Sequence, residues 1–425
     1  MLAGYSREEF QRSTEYRYAV EHFRRSPDGL PLDGTPEPFV NIRNLRLNVR
    51  LGSKLLNFLL CLMPNVRSVT LTDMGGETEL IEGIPPILAA RPHVKITELD
   101  LGYLRPSEEQ FIGLIRACST GLVKLRSISD HSNRRIRAAI GTCTELRHLS
   151  LPGLIKNESL KEILDGAPRL ETLEIDLCSS FSDESVVSIL RLRKLRRLCL
   201  SYEPLMWCGS LDFLGYITRL RHLEVTCNQV NVGTVRSIGN LRSLRALYLR
   251  SDSLDSECLQ IICERLSALE ELGLIGIQKV TDVGGMRLRH LRNLKILTLT
   301  KAEGLTDLTF EGGIGSSTLK VLRIEDSPLT DVGLASIAAH HGRLKKLDLG
   351  WCSKITDRGI SALLGQEPLL EHLRVWFCRS LTMGATWVDT LDKLCPRLRS
   401  LNVQVEGASR RGSPTRRTTE HPCVR

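Results

Sequence analysis

A chain of 425 residues with 42% hydrophobic and 25% charged side chains has the composition of a folded globular protein, which excludes collagen-like, mucin-like and fully disordered classes. Its longest apolar run, Leu55 to Met63, is broken by Asn57 and falls well short of the roughly 20 residues a bilayer span needs, so no membrane partner is expected. The net charge of +9 is uneven: residues 407–425 hold five arginines and one glutamate, leaving +5 over the rest, too dilute to direct the chain to nucleic acid.

Residues 1–41 predict a single helix and a linker. Ser6-x-x-Glu9 forms a capping box, and Phe10, Ala19, Val20 and Phe23 follow along the helix. Arg24 to Pro38 then reads as a Pro/Gly linker. Met1 to Phe10 carries Arg7, Glu8 and Glu9 with no apolar stretch, so no secretory signal is expected and the chain is assigned to the cytoplasm or nucleus. The 13 cysteines are odd in number, scattered, and never spaced Cys-x-x-Cys. That pattern fits reduced buried thiols, with no disulfide framework and no metal site.

From residue 42 onward a repeat sets the architecture. The pattern L-x-x-L-x-L, with conservative replacements, begins at Ile42, Val66, Ile96, Leu122, Leu146, Leu170, Leu195, Leu220, Leu244, Leu269, Leu294, Leu319, Leu344, Leu370 and Leu398. The weakest of these is the one at Leu122, where Ser127 stands in place of the last leucine. The spacing is that of leucine-rich repeats, one strand and one helical segment per unit. Leu344-Lys-Lys-Leu347-Asp-Leu349 alternates as a half-buried strand does, and Thr356 or Asp357 can cap the helix that carries Ile360, Leu363 and Leu364. A single unit cannot bury its apolar face, so the units must stack into one continuous array over 42–405. The predicted fold class is therefore α/β, a solenoid with about 15 short parallel strands on a concave face and helices on the convex face. Residues 406–425 lack apolar content and should form a disordered basic tail. Cys178, Cys352 and Cys378 share one repeat position, and Cys118, Cys143 and Cys395 lie just before the next repeat, as small core residues would.

The segment Cys352-Ser-Lys-Ile-Thr-Asp-Arg-Gly-Ile360 resembles the signature of cysteine-containing leucine-rich repeats, and Val280-Thr-Asp-Val-Gly284, Leu329-Thr-Asp-Val-Gly-Leu334 and Cys178-Ser-Ser-Phe-Ser-Asp183 are related copies. On these residues the chain resembles the leucine-rich-repeat class of F-box proteins and the related antagonist-of-mitotic-exit-network family. The resemblance implies a ribonuclease-inhibitor-like horseshoe whose concave face captures a protein, preceded by an F-box that docks on the Skp1 adaptor of a cullin ubiquitin ligase. An F-box needs three helices and an L-P-x-E type opening, which residues 1–41 do not offer. The expected function is a non-catalytic substrate receptor of a Skp1–cullin–F-box ligase, acting as a monomer within the complex. The alternative is a free-standing scaffold that binds its partner without ubiquitin transfer. This chain as written is expected to bind Skp1 weakly or not at all.

No nucleotide loop, Gly-x-Ser-x-Gly or His-Glu-x-x-His occurs, so neither catalytic residues nor a cofactor is expected. The adjacent His340 and His341 diverge on a helix and are assigned to the surface. Numbering each motif L1-x2-x3-L4-x5-L6-x7, positions x3, x5 and x7 face away from the core. Toward the C-terminal end these positions supply the candidate partner-binding residues Arg323, Glu325, Lys346, Asp348, His372, Arg374, Trp376 and Asn402. Trp376, flanked by Arg374 and His372, suits a binding anchor, and packing on Arg374 or beneath a cap is the competing reading. Trp351 and Phe377 fall at x8 and are expected in the core, while Tyr248 is expected as an isolated exposed ring. Position x2 is basic in most repeats, a row assigned to a solvated edge.

Overall fold

Each repeat turns its leucines inward and its alternating polar residues outward, and the strands follow that phase. The computed structural model describes residues 43–47, 60, 63, 65–66, 68–71, 78–101, 106–128, 133–177, 181–202, 211–315, 318–366, 369–382 and 397–404. The expected helix and linker of 1–41, the tail of 406–425, Cys178 and Cys395 lie outside these residues. The chain divides into two units, Met1–Ser251 and Asp252–Arg425.

The first unit holds β1 (Asn44–Leu47), β2 (Ser68–Leu71), β3 (Lys95–Asp100), β4 (Lys124–Arg126), β5 (His148–Ile155), β6 (Thr172–Leu177), β7 (Arg197–Tyr202), β8 (His222–Thr226) and β9 (Ala246–Arg250). All run parallel, each paired with the next in sequence. The register keeps equivalent repeat positions side by side, as in Thr172, Arg197, His222 and Ala246. The second unit holds β10 (Glu271–Ile275), β11 (Ile296–Thr300), β12 (Val321–Glu325), β13 (Lys346–Gly350), β14 (His372–Trp376) and β15 (Ser400–Gln404), again parallel and in phase. Both units are leucine-rich-repeat solenoids, with strands on one side and helical segments on the other. The repeat begun at Leu122 keeps its phase, since Leu122 and Leu125 are fully buried. Its strand β4 is only three residues long, with the substituted Ser127 buried and its N–H donating to the Ser150 carbonyl at 3.1 Å.

Short polar side chains start the helices. Ser182 accepts from the Ser185 N–H at 3.3 Å, Asn231 from Thr234 at 2.8 Å, and Asp255 from Cys258 at 2.9 Å, which satisfies N–H groups that have no partner inside the helix. The second unit adds a relay between neighbouring repeats. Thr306 donates its N–H and hydroxyl to the Asp282 carboxylate at 2.8 and 2.7 Å. Thr330 does the same to Asp307 at 2.8 and 2.6 Å, and Thr356 to Asp331 at 2.8 and 2.5 Å. Thr382 donates in turn to Asp357. The glycines two residues after Asp331 and Asp357 belong to the same device: a Cβ at Gly333 or Gly359 would collide with Asp307 or Asp331 of the preceding repeat, while Thr309, two residues after Asp307, donates its hydroxyl to Asp282 at 2.5 Å. The Thr-Asp-x-Gly spacing is thus the imprint of one repeat's carboxylate nesting in the next.

Cys118, Cys143, Cys258, Cys263, Cys352 and Cys378 are buried free thiols, and burial pushes Cys118 up to about 12 and Cys143 up to about 11. Thiols raised in this way pack as small apolar residues and are poor nucleophiles. Cys227 departs from the free-thiol expectation, being disulfide-bonded.

The surface assignment of the two histidines holds for His340 and fails for His341. The helix Asp331–His340 stops one residue before His341, whose ring turns beneath it, 2% exposed. There His341 Nε2 accepts the Ile314 N–H at 3.1 Å. Among the described residues no helix is long and apolar enough to cross a membrane.

Candidate functional site

On the face of the second unit's sheet that turns away from its helices, side chains form columns across the strands. The x5 column runs Arg323, Asp348, Arg374 and Asn402, and the x3 column runs Val321, Lys346, His372 and Ser400. Strand pairing therefore alternates charge between neighbours at x5, and Arg374 Nη1 stands 3.7 Å from Asp348 Oδ2.

Trp376 occupies x7 of β14, beside Gly350 at x7 of β13. A Cβ at residue 350 would come within 2.6 Å of Trp376 Cε2, so the missing side chain is what lets the indole lie across the neighbouring strand. In that pose Trp376 Nε1 donates to Asp348 Oδ1 at 3.0 Å, and the Arg374 guanidinium lies 5.1 Å from the ring centroid. Trp376 stays half-buried, with Arg374 exposed beside it. Burial pushes the Asp348 carboxyl above its ordinary value, against the pull of Arg374 and the indole N–H. Burial, reinforced by Asp348, raises Glu325 as well. His372 is lowered by desolvation and by Lys346.

Of the eight candidates, Asp348, Arg374 and Trp376 meet directly. Arg323 and Glu325 act on them through charge. Lys346 and His372 sit side by side at x3, and Asn402 is in register with Arg374.

The expectation that Trp351 and Phe377 are core residues is overturned. Trp351 is 46% exposed and Phe377 half-buried. Both have left-handed backbone, φ +48° and +54°, as do Lys301 and Asp326 at the same repeat position. That conformation turns an x8 side chain away from the core as the chain leaves the strand. The rings of Trp351 and Trp376 lie 4.0 Å apart at 63°, and Trp351 stacks on Phe377 at 5.4 Å and 13°. The site is thus a three-ring cluster edged by Arg374 and Asp348. The signal that could have exposed it is Gly276, a residue tolerant of positive φ at the same x8 position.

Tyr248 is not isolated: its ring tilts against His222 at 5.6 Å. In the basic x2 row, Arg147 pairs with Glu171, Lys295 with Glu270 and Lys345 with Glu371, all partners being x2 residues of adjacent repeats. Such exposed pairs contribute about 0–1 kcal/mol each, but they reduce the row's net charge.

A family model described as leucine rich repeat matches residues 315–338 and 344–364. The chain is 27% identical over 264 residues to the F-box/LRR-repeat protein 4 of Bos taurus, a match that covers 60% of this chain and 40% of that protein. It therefore spans less than half the length of that relative. One chain of a crystal structure of the yeast Rad7 and Elc1 complex superposes with a TM-score of 0.53 at 16% identity, covering 79% of this chain and 87% of that one. The leucine-rich repeat-containing protein LegL7 from Legionella pneumophila gives a TM-score of 0.37 at 14% identity, covering 62% of this chain and 96% of that one.

Proposed function

Since the chain is a leucine-rich-repeat protein with an F-box/leucine-rich-repeat protein among its relatives, we propose that it is a non-catalytic recognition module that serves as the substrate receptor of a Skp1–cullin–F-box ubiquitin ligase in the cytoplasm or nucleus. The captured protein docks on the aromatic cluster of the second unit, with Arg323, Glu325, Lys346, His372 and Asn402 around it. The observation that carries this reading is the pose of Trp376: a ring held across Gly350 by Asp348, beside a half-exposed Trp351 and an exposed Arg374. Aromatic and arginine side chains that are fixed before binding lose little entropy on docking, and they dominate interface energetics. No cofactor enters this function.

Affinity purification with quantitative mass spectrometry tests it, comparing the chain with its Arg374→Ala/Trp376→Ala variant. The proposal expects one set of proteins to be lost from the variant while its circular dichroism is unchanged. Recovery of Skp1 and a cullin with both forms supports the ligase reading. Capture without Skp1, from a protein that carries every segment it has in the cell, would favour the free-standing scaffold.

A further inference from the structure

The first unit carries a cluster of a different chemistry. Register places Arg197 and His222 side by side at x3 of β7 and β8, and Cys199 and Glu224 side by side at x5. The Cys199 thiol, a His222 ring nitrogen and a Glu224 carboxylate oxygen all lie within 4.8 Å of one another on the open face of the sheet. His222 Nε2 is buried, stands 4.0 Å from Glu224 Oε2, too far for a hydrogen bond, and has no hydrogen-bond partner among the described residues.

We propose that Cys199, His222 and Glu224 bind one borderline divalent transition-metal ion, Zn²⁺ by chemical class. Thiolate, imidazole and carboxylate are the three donor types that zinc takes, at about 2.0–2.3 Å, which puts tetrahedral ligand atoms about 3.5 Å apart. The observed spread closes to that by small side-chain rotations, with two ligands fixed two residues apart on one strand and the third on its hydrogen-bonded neighbour. Three protein donors leave a fourth position open to water. Binding releases the Cys199 thiol proton to solvent, since a coordinated thiol is deprotonated. It also moves the His222 proton from Nε2 to Nδ1.

That shift has a consequence for Arg197, whose Nη1 lies 3.4 Å from His222 Nδ1. With Nδ1 protonated, two donors would face each other, so the guanidinium must swing away. Glu174 is already placed to receive it, 3.3 Å from Arg197 Nε. With Glu174 and Glu224 against Arg197 the cluster carries one net negative charge before the thiol ionises, which suits a cation.

Cobalt(II) is the probe, titrated into the reduced full-length chain. The expected result is one equivalent bound with a sulfur-to-cobalt charge-transfer band, absent from Cys199→Ser and from His222→Gln. No band in the unaltered chain, or a band that survives Cys199→Ser, overturns the proposal. Should either variant misfold, alkylation mapping decides on the unaltered chain. Zn²⁺ should slow modification of Cys199 by iodoacetamide at least tenfold, and an unchanged rate overturns the site.

Discussion

Trp376 and Asp348 sit on neighbouring strands, and the indole N–H of one points into the carboxylate of the other at 3.0 Å. This bond orders a large ring that the fold does not bury. It also places a carboxylate where desolvation works against its charge. The cluster is therefore sensitive to small changes that leave the leucine core untouched.

Gly350→Ala is the sharpest of these. The added methyl would fall within 2.6 Å of the indole and displace it from Asp348. Hydrogen bonds to charged groups are worth about 1.5–3 kcal/mol, so partner affinity should fall about 10- to 100-fold. Unfolding by urea should remain cooperative. Titration of the captured partner by calorimetry checks this, and an unchanged affinity would remove the pose of Trp376 from the binding account.

The raised carboxyl gives a pH dependence with a definite sign. Asp348 binds its proton more tightly in the folded chain than at its ordinary value of 3.8, so ionising it opposes folding. Its contribution to stability grows as pH falls from above the raised value toward the ordinary one, and is complete below that. Asp348→Asn cannot gain in this way. Urea denaturation of both forms at pH 7 and near pH 4, close to the ordinary value, should show the variant less stable relative to the native chain at the lower pH. A constant difference would contradict the burial of this group.

The relay predicts a larger loss. Asp331→Ala leaves the Thr356 N–H and hydroxyl, both part-buried, without their acceptor. Two unmade bonds of this kind should cost about 2–5 kcal/mol. Asp331→Asn keeps an acceptor oxygen and should lose less. Hydrogen exchange should localise the change to Thr356 and the start of the helix Asp357–Gln366. Uniform exchange across the second unit would argue against a local role.

His341→Phe tests the buried ring. The substitution keeps an aromatic but removes the acceptor for the Ile314 N–H, which is worth about 1–3 kcal/mol. A thermal midpoint equal to that of the native chain would show that the N–H finds another partner.

The repeat phase was legible from the leucines because each sits on a fixed inward position, and even the Leu122 repeat kept it despite Ser127. Asp348, Arg374 and Trp376 were legible as outward positions of a strand. Trp351 and Phe377 were not, because periodicity stops where the strand ends and the backbone turns left-handed. His341 was missed for a related reason: it lies past the last helical residue, where helical geometry no longer assigns a face. The Cys199, His222 and Glu224 cluster escaped because Cys199 lies one repeat before the other two and meets them only through strand register.

The relay of Thr306, Thr330, Thr356 and Thr382 onto Asp282, Asp307, Asp331 and Asp357 has a polarity, for each acceptor precedes its donor in the chain. A ribosome delivers the aspartate of one coil before the threonine of the next. Each newly made coil of the second unit therefore meets a docking ledge already in place, and growth can proceed vectorially from the N-terminal side. Removing a coil from the C-terminal end takes away only donors and leaves a solvated carboxylate. Removing one from the interior parts the following threonine from its own acceptor, and the relay closes again only if the two flanking coils restack in register, so the array should tolerate shortening at its end better than excision of a coil from its middle.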